Sequence, residues 1–236
     1  MSDKKPIGKK FDILIPPKEV LKKLANSVGI EIYHYYSWNP FVKFLFRKRL
    51  KTAIILAGSL VSKRVLDLGC GASFLSYNLA RKGADTIALD LYVDLGNVKS
   101  IMDKLTLNKI HFIKGDGAYL PFKSNFFDVV FTLDVLEHIK NLHKAIEEIQ
   151  RILRYKGIIV VSVPYESSLW FRISRIIARV SRKKFTEISI IQKIKAPHLH
   201  TLFDVINILK EYFCQDKKSD ILIFPKMFFV ASYHQL

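Results

Sequence analysis

Cysteine is scarce: Cys70 and Cys214 are the only two in 236 residues. Neither stands in a spacing that would hold zinc or run a redox cycle, which excludes a disulfide scaffold and points to a reducing, cytoplasmic setting. Long apolar runs are missing as well. The longest one near the N-terminus, residues 53–61, is interrupted by Gly58 and Ser59 and is too short to span a bilayer, so a soluble or membrane-peripheral chain is expected. Acidic residues are few, 21 Asp and Glu against 38 Lys and Arg, which leaves a formal charge of +17. The length and a half-hydrophobic composition suit one full core with an appended cap.

The organising stretch is residues 65–83. Branched apolar residues (Val65, Leu66, Leu68) run into Gly69-Cys70-Gly71, and helical spacing then takes over at Phe74, Leu75 and Leu79 until Gly83, which reads as strand, tight turn and helix. Two familiar uses of such a turn fail here. A dinucleotide site needs a third glycine where Phe74 stands, and a P-loop needs Gly-Lys-Ser/Thr after the turn. What remains is bare backbone at Gly69 and Gly71, against which a ligand can lie, and helix amides that can face an anion. A second strand over 86–90 ends in Asp90, about twenty residues past the turn, where a ribose diol needs a two-oxygen acceptor.

An acidic residue inside the strand (Asp67) followed by Gly-Cys-Gly resembles the first motif of class I S-adenosylmethionine-dependent methyltransferases, with Ser73 replacing the small third glycine of that motif. After a third strand over 110–114, Gly115-Asp116-Gly117-Ala118 resembles the motif whose acidic residue accepts from the adenine amino group. A fourth strand over 128–133 leads into Asp134-Val135-Leu136-Glu137-His138, similar to the Leu-Glu-His subgroup that methylates small molecules and lipids. An amphipathic helix over 142–153 and an apolar fifth strand over 158–163 follow. The resemblance, nearly continuous for about a hundred residues, implies a Rossmann-like, doubly wound α/β sheet of seven mostly parallel strands with an antiparallel last strand. It implies S-adenosylmethionine as cofactor, held by Asp67, Gly69, Cys70, Gly71, Ser73, Asp90, Leu91, Asp116, Gly117 and Leu133.

Charge divides the chain. Residues 1–64 carry +10, 65–164 only +1, 165–196 carry +6, and 197–236 are balanced. A basic, aromatic N-terminal cap over 1–64 is therefore expected on a nearly neutral methyltransferase domain over 65–236. Its helices are placed over 18–28 and from Pro40 onward, with Asn39 as N-cap. Residues 165–196 read as a basic amphipathic lid over the site, with membrane contact through 165–184 as one use. Thr201 and Asp204 signal a capped helix over 202–212, and 221–224 with 228–231 a closing antiparallel pair.

If the acceptor is a hydroxyl, a base is needed, and His138, His198 and His200 are the candidate imidazoles. His198 and His200 lack an evident third ligand, so no metal site is expected. The favoured reading is a methyltransferase for a small-molecule or lipid-like acceptor. An RNA or other nucleic-acid methyltransferase or binding protein stays open through the net charge, although neither the Pro-Pro-aromatic nor the Pro-Cys turn of base-modifying enzymes follows the fourth strand. A non-catalytic module that keeps the cofactor fold for partner binding stays open through Ser73.

Overall fold

Alternating apolar residues in the central strands sort themselves into two cores, one on each face of a sheet. Along β1 (Arg64–Leu68), β4 (Phe127–Leu133) and β5 (Leu153–Pro164), the side chains of Val65, Val129, Phe131 and Val160 enter one core. Leu66, Phe127, Val130, Ile159 and Val161 enter the other. Both faces must then be covered, because strands buried on both sides need a helical layer on each. The computed structural model describes residues 12–24, 28, 32–37, 40–105, 110–165, 198–221 and 228–235.

With β2 (Asp85–Asp90), β3 (Ile110–Lys114), β6 (Phe213–Ile221) and β7 (Phe228–Gln235), the sheet has the order β3-β2-β1-β4-β5-β7-β6. Every pairing is parallel except those of β7, which runs antiparallel to both β5 and β6. The Rossmann-like, mostly parallel seven-stranded sheet read from the sequence is what forms. One face is covered by α1 (Lys18–Leu24), α2 (Ile32–Tyr35), α3 (Pro40–Ala57), α4 (Phe74–Arg81) and α5 (Leu95–Met102), through Leu24, Tyr35, Leu50, Phe74 and Val98 among others. The opposite face is covered by α6 (Leu142–Ile152) and α7 (Leu202–Tyr212), through Ile146, Ile149, Val205 and Leu209.

Local sequence explains the elements that matter most for the site. In α3 the buried positions Leu45, Phe46, Arg49, Leu50, Ala53, Ile54 and Ala57 recur every three or four residues, so one stripe faces the sheet and carries an arginine within it. The α7 start is a full capping box: Thr201 Oγ1 accepts from the Asp204 amide (3.3 Å), and Asp204 Oδ2 accepts from the Thr201 amide (2.7 Å). The Thr201 bond holds the Asp204 carboxyl below the usual range.

The expected closing pair forms in shifted position. Its first strand is Phe213–Ile221, ahead of the apolar run that suggested 221–224, and residues 222–224 lie outside the described residues. An edge strand pairs on one side only and can be written with lysines and aspartates, so it shows no apolar signal. β7 likewise extends past residue 231 to Gln235, and β5 begins at Leu153, five residues earlier than expected, with an irregular register near Phe127. Helix α1 is described over Lys18–Leu24, and residues 25–27 of the expected 18–28 helix lie outside the described residues, as do Asn39, expected to cap α3, and 166–197, nearly all of the expected lid and membrane-contact segment. Among the described residues no helix is long and apolar enough to cross a membrane.

Candidate active site

Strand order reverses between β1 and β4, and in open α/β sheets that switch point leaves a crevice beyond the carboxyl ends of the strands. The turn after β1 is tied to the end of β2: the Gly69 and Cys70 amides donate to Leu89 O (2.8 and 3.1 Å), and the Gly71 amide donates to Asp90 Oδ2 (3.0 Å). Gly69 and Gly71 both have positive φ, +73° and +49°, but they answer different demands. A Cβ on Gly69 would lie 2.3 Å from Val135 Cγ2, so glycine lets the loops after β1 and β4 touch. A Cβ on Gly71 would meet nothing within 4 Å, so its bare backbone faces open space beside the Asp90 carboxylate.

Asp90 is 9% exposed, and its Oδ1 accepts from the Tyr92 and Val93 amides (2.9 and 3.2 Å), which fixes the carboxylate at the rim. Leu91 and Tyr92 beside it are exposed. Asp67 behaves differently. It is buried, and Oδ2 accepts from the Ser76 amide (3.0 Å) and from the Ser76 hydroxyl, so it anchors the first turn of α4. Burial pushes its carboxyl up to about 7 against the Ser76 bonds, and the Asp90 charge adds to the rise. Burial also pushes the Cys70 thiol up, with the Asp67 and Asp90 carboxylates adding to it, so Cys70 packs as a neutral group. Ser73 is buried at φ +57°, the left-handed conformation that the missing glycine would have taken more easily.

The loop after β3 is braced from below. Arg151 of α6 donates to Phe122 O (2.7 Å), Leu120 O (3.1 Å) and Glu148, while Glu148 Oε2 accepts from the Leu120 amide (2.9 Å). The Arg151 bond holds the Glu148 carboxyl below its usual range. On this brace Asp116 stands half-exposed, with Oδ1 accepting from the Ala118 amide (2.9 Å). Gly117 is buried, and a Cβ there would lie 2.8 Å from Ile139 Cδ1, so the loops after β3 and β4 pack closely at this glycine.

The other half of the rim is built at the end of β4, past the half-buried Leu133. Asp134, at φ +60°, pairs with buried Arg49 of α3, and its Oδ1 accepts from Ser162 Oγ (3.0 Å). Arg49 also donates to the Tyr35 hydroxyl (3.2 Å). His138 and His198 meet edge to face with ring centroids 4.5 Å apart, whereas His200 Nε2 lies 3.0 Å from Ile139 O and is held by that backbone contact. In the sequence Asp134 and Glu137 stand out only as part of the Leu-Glu-His resemblance, with no role of their own, and Arg49 carries none. The legible sign for Arg49 was its place four residues after Leu45 and four before Ala53 on an apolar stripe. A separate cavity of about 410 Å³, lined by Asp12, Leu60 and Arg81 among others, opens beside the segment that enters β1, away from this rim.

A sequence profile described as a methyltransferase domain matches residues 66–161, which run from β1 to β5 and contain the Gly69–Gly71 turn, Asp90 and Asp116. Residues 66–161 are thus similar to the methyltransferase-domain family. The chain is 42% identical over 106 residues to an uncharacterised protein of Methanocaldococcus jannaschii, covering 44% of this chain and 42% of that one. It is 30% identical over 105 residues to the mitochondrial ubiquinone biosynthesis O-methyltransferase of Schizosaccharomyces pombe (42% of this chain, 37% of the relative). With the demethylmenaquinone methyltransferase of Renibacterium salmoninarum it shares 33% over 116 residues (49% and 47%). The chain thus spans less than half the length of these curated relatives. The fold extends further than the sequence likeness: an S-adenosylmethionine-dependent methyltransferase from Mesorhizobium loti superposes with a TM-score of 0.60 at 15% identity, covering 78% of this chain and 96% of that one. The [4+2]-cyclase SpnF superposes on the domain nearly as well, with a TM-score of 0.58 at 14% identity and coverage of 79% and 81%.

Proposed function

We propose that this protein transfers the methyl group of S-adenosylmethionine to a small-molecule or lipid-like acceptor. One observation carries the reading: the open space beside the Gly71 backbone lies against the fixed Asp90 carboxylate, with Asp116 on the next loop. A nucleoside fits such a rim, with its ribose hydroxyls donating to Asp90 and its adenine amino group to Asp116. The sulfonium supplies an already activated methyl group, so the protein's task is alignment and exclusion of water. Val135 against Gly69 closes the turn from the β4 side, and the Tyr35–Arg49–Asp134 network closes the acceptor side with buried polar groups. The relatives' names, ubiquinone biosynthesis O-methyltransferase and demethylmenaquinone methyltransferase, favour a small-molecule acceptor.

Calorimetry tests the cofactor. S-adenosylmethionine and S-adenosylhomocysteine are expected to bind and NAD is not, and Asp90→Asn should weaken binding by about 2 kcal/mol, the worth of a hydrogen bond to a charged group. Because the same fold also serves a cyclase, methyl transfer needs its own assay. Labelled methyl donor incubated with separated metabolite, lipid and RNA fractions is expected to mark a metabolite or lipid. Label in RNA alone would overturn the acceptor class.

A further inference from the structure

The segment that enters α7 is pinned to the turn that follows β4. The Leu199 and His200 amides donate to Glu137 O (2.7 and 3.2 Å), and the His200 ring meets Ile139 O at 3.0 Å. That docking brings His198 over the consecutive pair Glu137 and His138, and one ligand-type atom from each of the three lies within 4.8 Å of the others. Two ligands of one tetrahedral transition-metal ion, each about 2.0–2.2 Å from it, stand about 3.4 Å apart, so a closure of at most about 1.5 Å would let the three share a cation. No ion is needed to assemble them, since the backbone bonds already do so.

We propose that Glu137, His138 and His198 form a divalent-cation site. Two imidazoles and one carboxylate favour zinc, manganese, iron or cobalt over magnesium or calcium, which prefer all-oxygen shells. Burial is graded from Glu137, fully buried, through half-buried His138 to exposed His198, so the cation has protein below it and an open side above. Three protein ligands with an open position is the pattern of a site that takes an exogenous ligand. One carboxylate leaves a divalent ion a net positive charge, which suits an oxygen donor such as a hydroxyl, phenolate or carboxylate. The site stands on the 3₁₀ turn Leu136–His138, a few residues past Leu133 and Asp134 on the acceptor half of the rim. Resting on the methyl-transfer reading, the cation's further role is to hold an oxygen of the acceptor, and this assigns the substrate an oxygen-bearing group.

Calorimetric titration of the metal-stripped full chain with Zn²⁺ and Mn²⁺ tests the site without an activity assay. One ion per chain is expected. His198→Ala, an exposed change that spares the core, should weaken it by more than about tenfold, at least the loss seen when an outer-shell partner is removed. Glu137→Gln should do the same, with circular dichroism checking that the buried change still folds. His143→Ala, at the exposed His143–Glu211 pair on α6 and α7 (3.8 Å), should leave affinity unchanged. Absence of stoichiometric binding, or equal affinity in His198→Ala, overturns the proposal. S-adenosylmethionine binding measured in chelator keeps the two readings apart: cofactor binding without metal binding removes the cation site alone, and metal binding without cofactor binding removes the methyl-transfer reading alone.

Discussion

The two halves of the rim are made by different means. On the β1–β3 side the parts proposed to hold the cofactor are backbone and short carboxylates, all drawn from one continuous stretch: Gly69, Gly71, Asp90 and Asp116 sit within two residues of a strand end or on the turn itself. On the β4 side the polar groups come from segments far apart in sequence: Tyr35 and Arg49 from the N-terminal helices, Asp134 and Glu137 after β4, Ser162 from β5, and His198 from the approach to α7. A half built from backbone geometry is fixed by local sequence and reads as a motif. A half built from long side chains is fixed only by the fold, so it can vary with the acceptor while the cofactor half stays the same.

The contrast is broken most severely at Arg49. Its guanidinium is 5% exposed and the Asp134 side chain 17%, so Arg49→Ala strands a nearly buried carboxylate at the end of β4. Removing one partner of a buried pair costs about 3–5 kcal/mol, and the partial exposure of Asp134 places this one near about 3. Urea denaturation should show that loss, while cofactor affinity in the folded fraction falls far less than with Asp90→Asn. Equal losses of cofactor affinity would mean that the two halves are not separable.

Within the cofactor half, the two glycines of one turn are expected to differ. Gly69→Ala combines an unfavourable φ with a 2.3 Å approach to Val135, and overpacking of this kind costs about 1–3 kcal/mol on top of the left-handed penalty. Gly71→Ala carries only the backbone penalty, about 1 kcal/mol, because nothing stands within 4 Å. Its Cβ fills the space assigned to the ligand, so binding should suffer more than stability. A stable Gly71→Ala variant with full affinity for S-adenosylmethionine would place the ligand elsewhere.

How much of this was legible follows the same division. The first four strands, the turn at Gly69–Gly71, and the positions of Asp90 and Asp116 were readable because each depends on residues a few positions apart. Asp67 was readable as part of a motif, but its work is to bind Ser76 at the start of α4, nine residues on, and that pairing has no signature beyond the motif itself. His138 and His198 were readable as candidate imidazoles, but the Tyr35–Arg49–Asp134 network and the meeting of His198 with Glu137 and His138 were not, since they join segments far apart in sequence. The first strand of the closing pair was misplaced for the opposite reason: an apolar run gave a strong signal just beyond the polar edge strand that the fold uses.

Asp67 offers a test that acts through pH. Its carboxyl titrates near 7 in the folded protein against 3.8 for the free group, so between those values the folded state binds the extra proton. Stability therefore falls as pH rises from about 4 to 7 and levels off above, at about 1.4 kcal/mol per unit while the difference lasts. Between pH 5 and 7 the loss should be about 2 kcal/mol, and Asp67→Asn, neutral throughout, should remove that slope. Thermal melts of both proteins across the window decide it. A wild-type slope retained in the variant would assign the dependence to another group.

Ser73 gives the smallest expected effect. It is buried at φ +57°, where an L-residue with a Cβ stands in the left-handed region and glycine does not, so Ser73→Gly relieves local strain while adding freedom to the unfolded chain. The two terms nearly offset, and the net change should lie within about 1 kcal/mol of zero. Ser73 also works against the burial that raises the Cys70 thiol's pKa, so its loss should leave Cys70 still less ionised. Slower alkylation of Cys70 in Ser73→Gly, read by mass spectrometry with exposed Cys214 as the internal reference, is the expected outcome. Faster alkylation would mean that the serine protects the turn by packing, and that the glycine turn owes its shape to this side chain as well as to bare backbone.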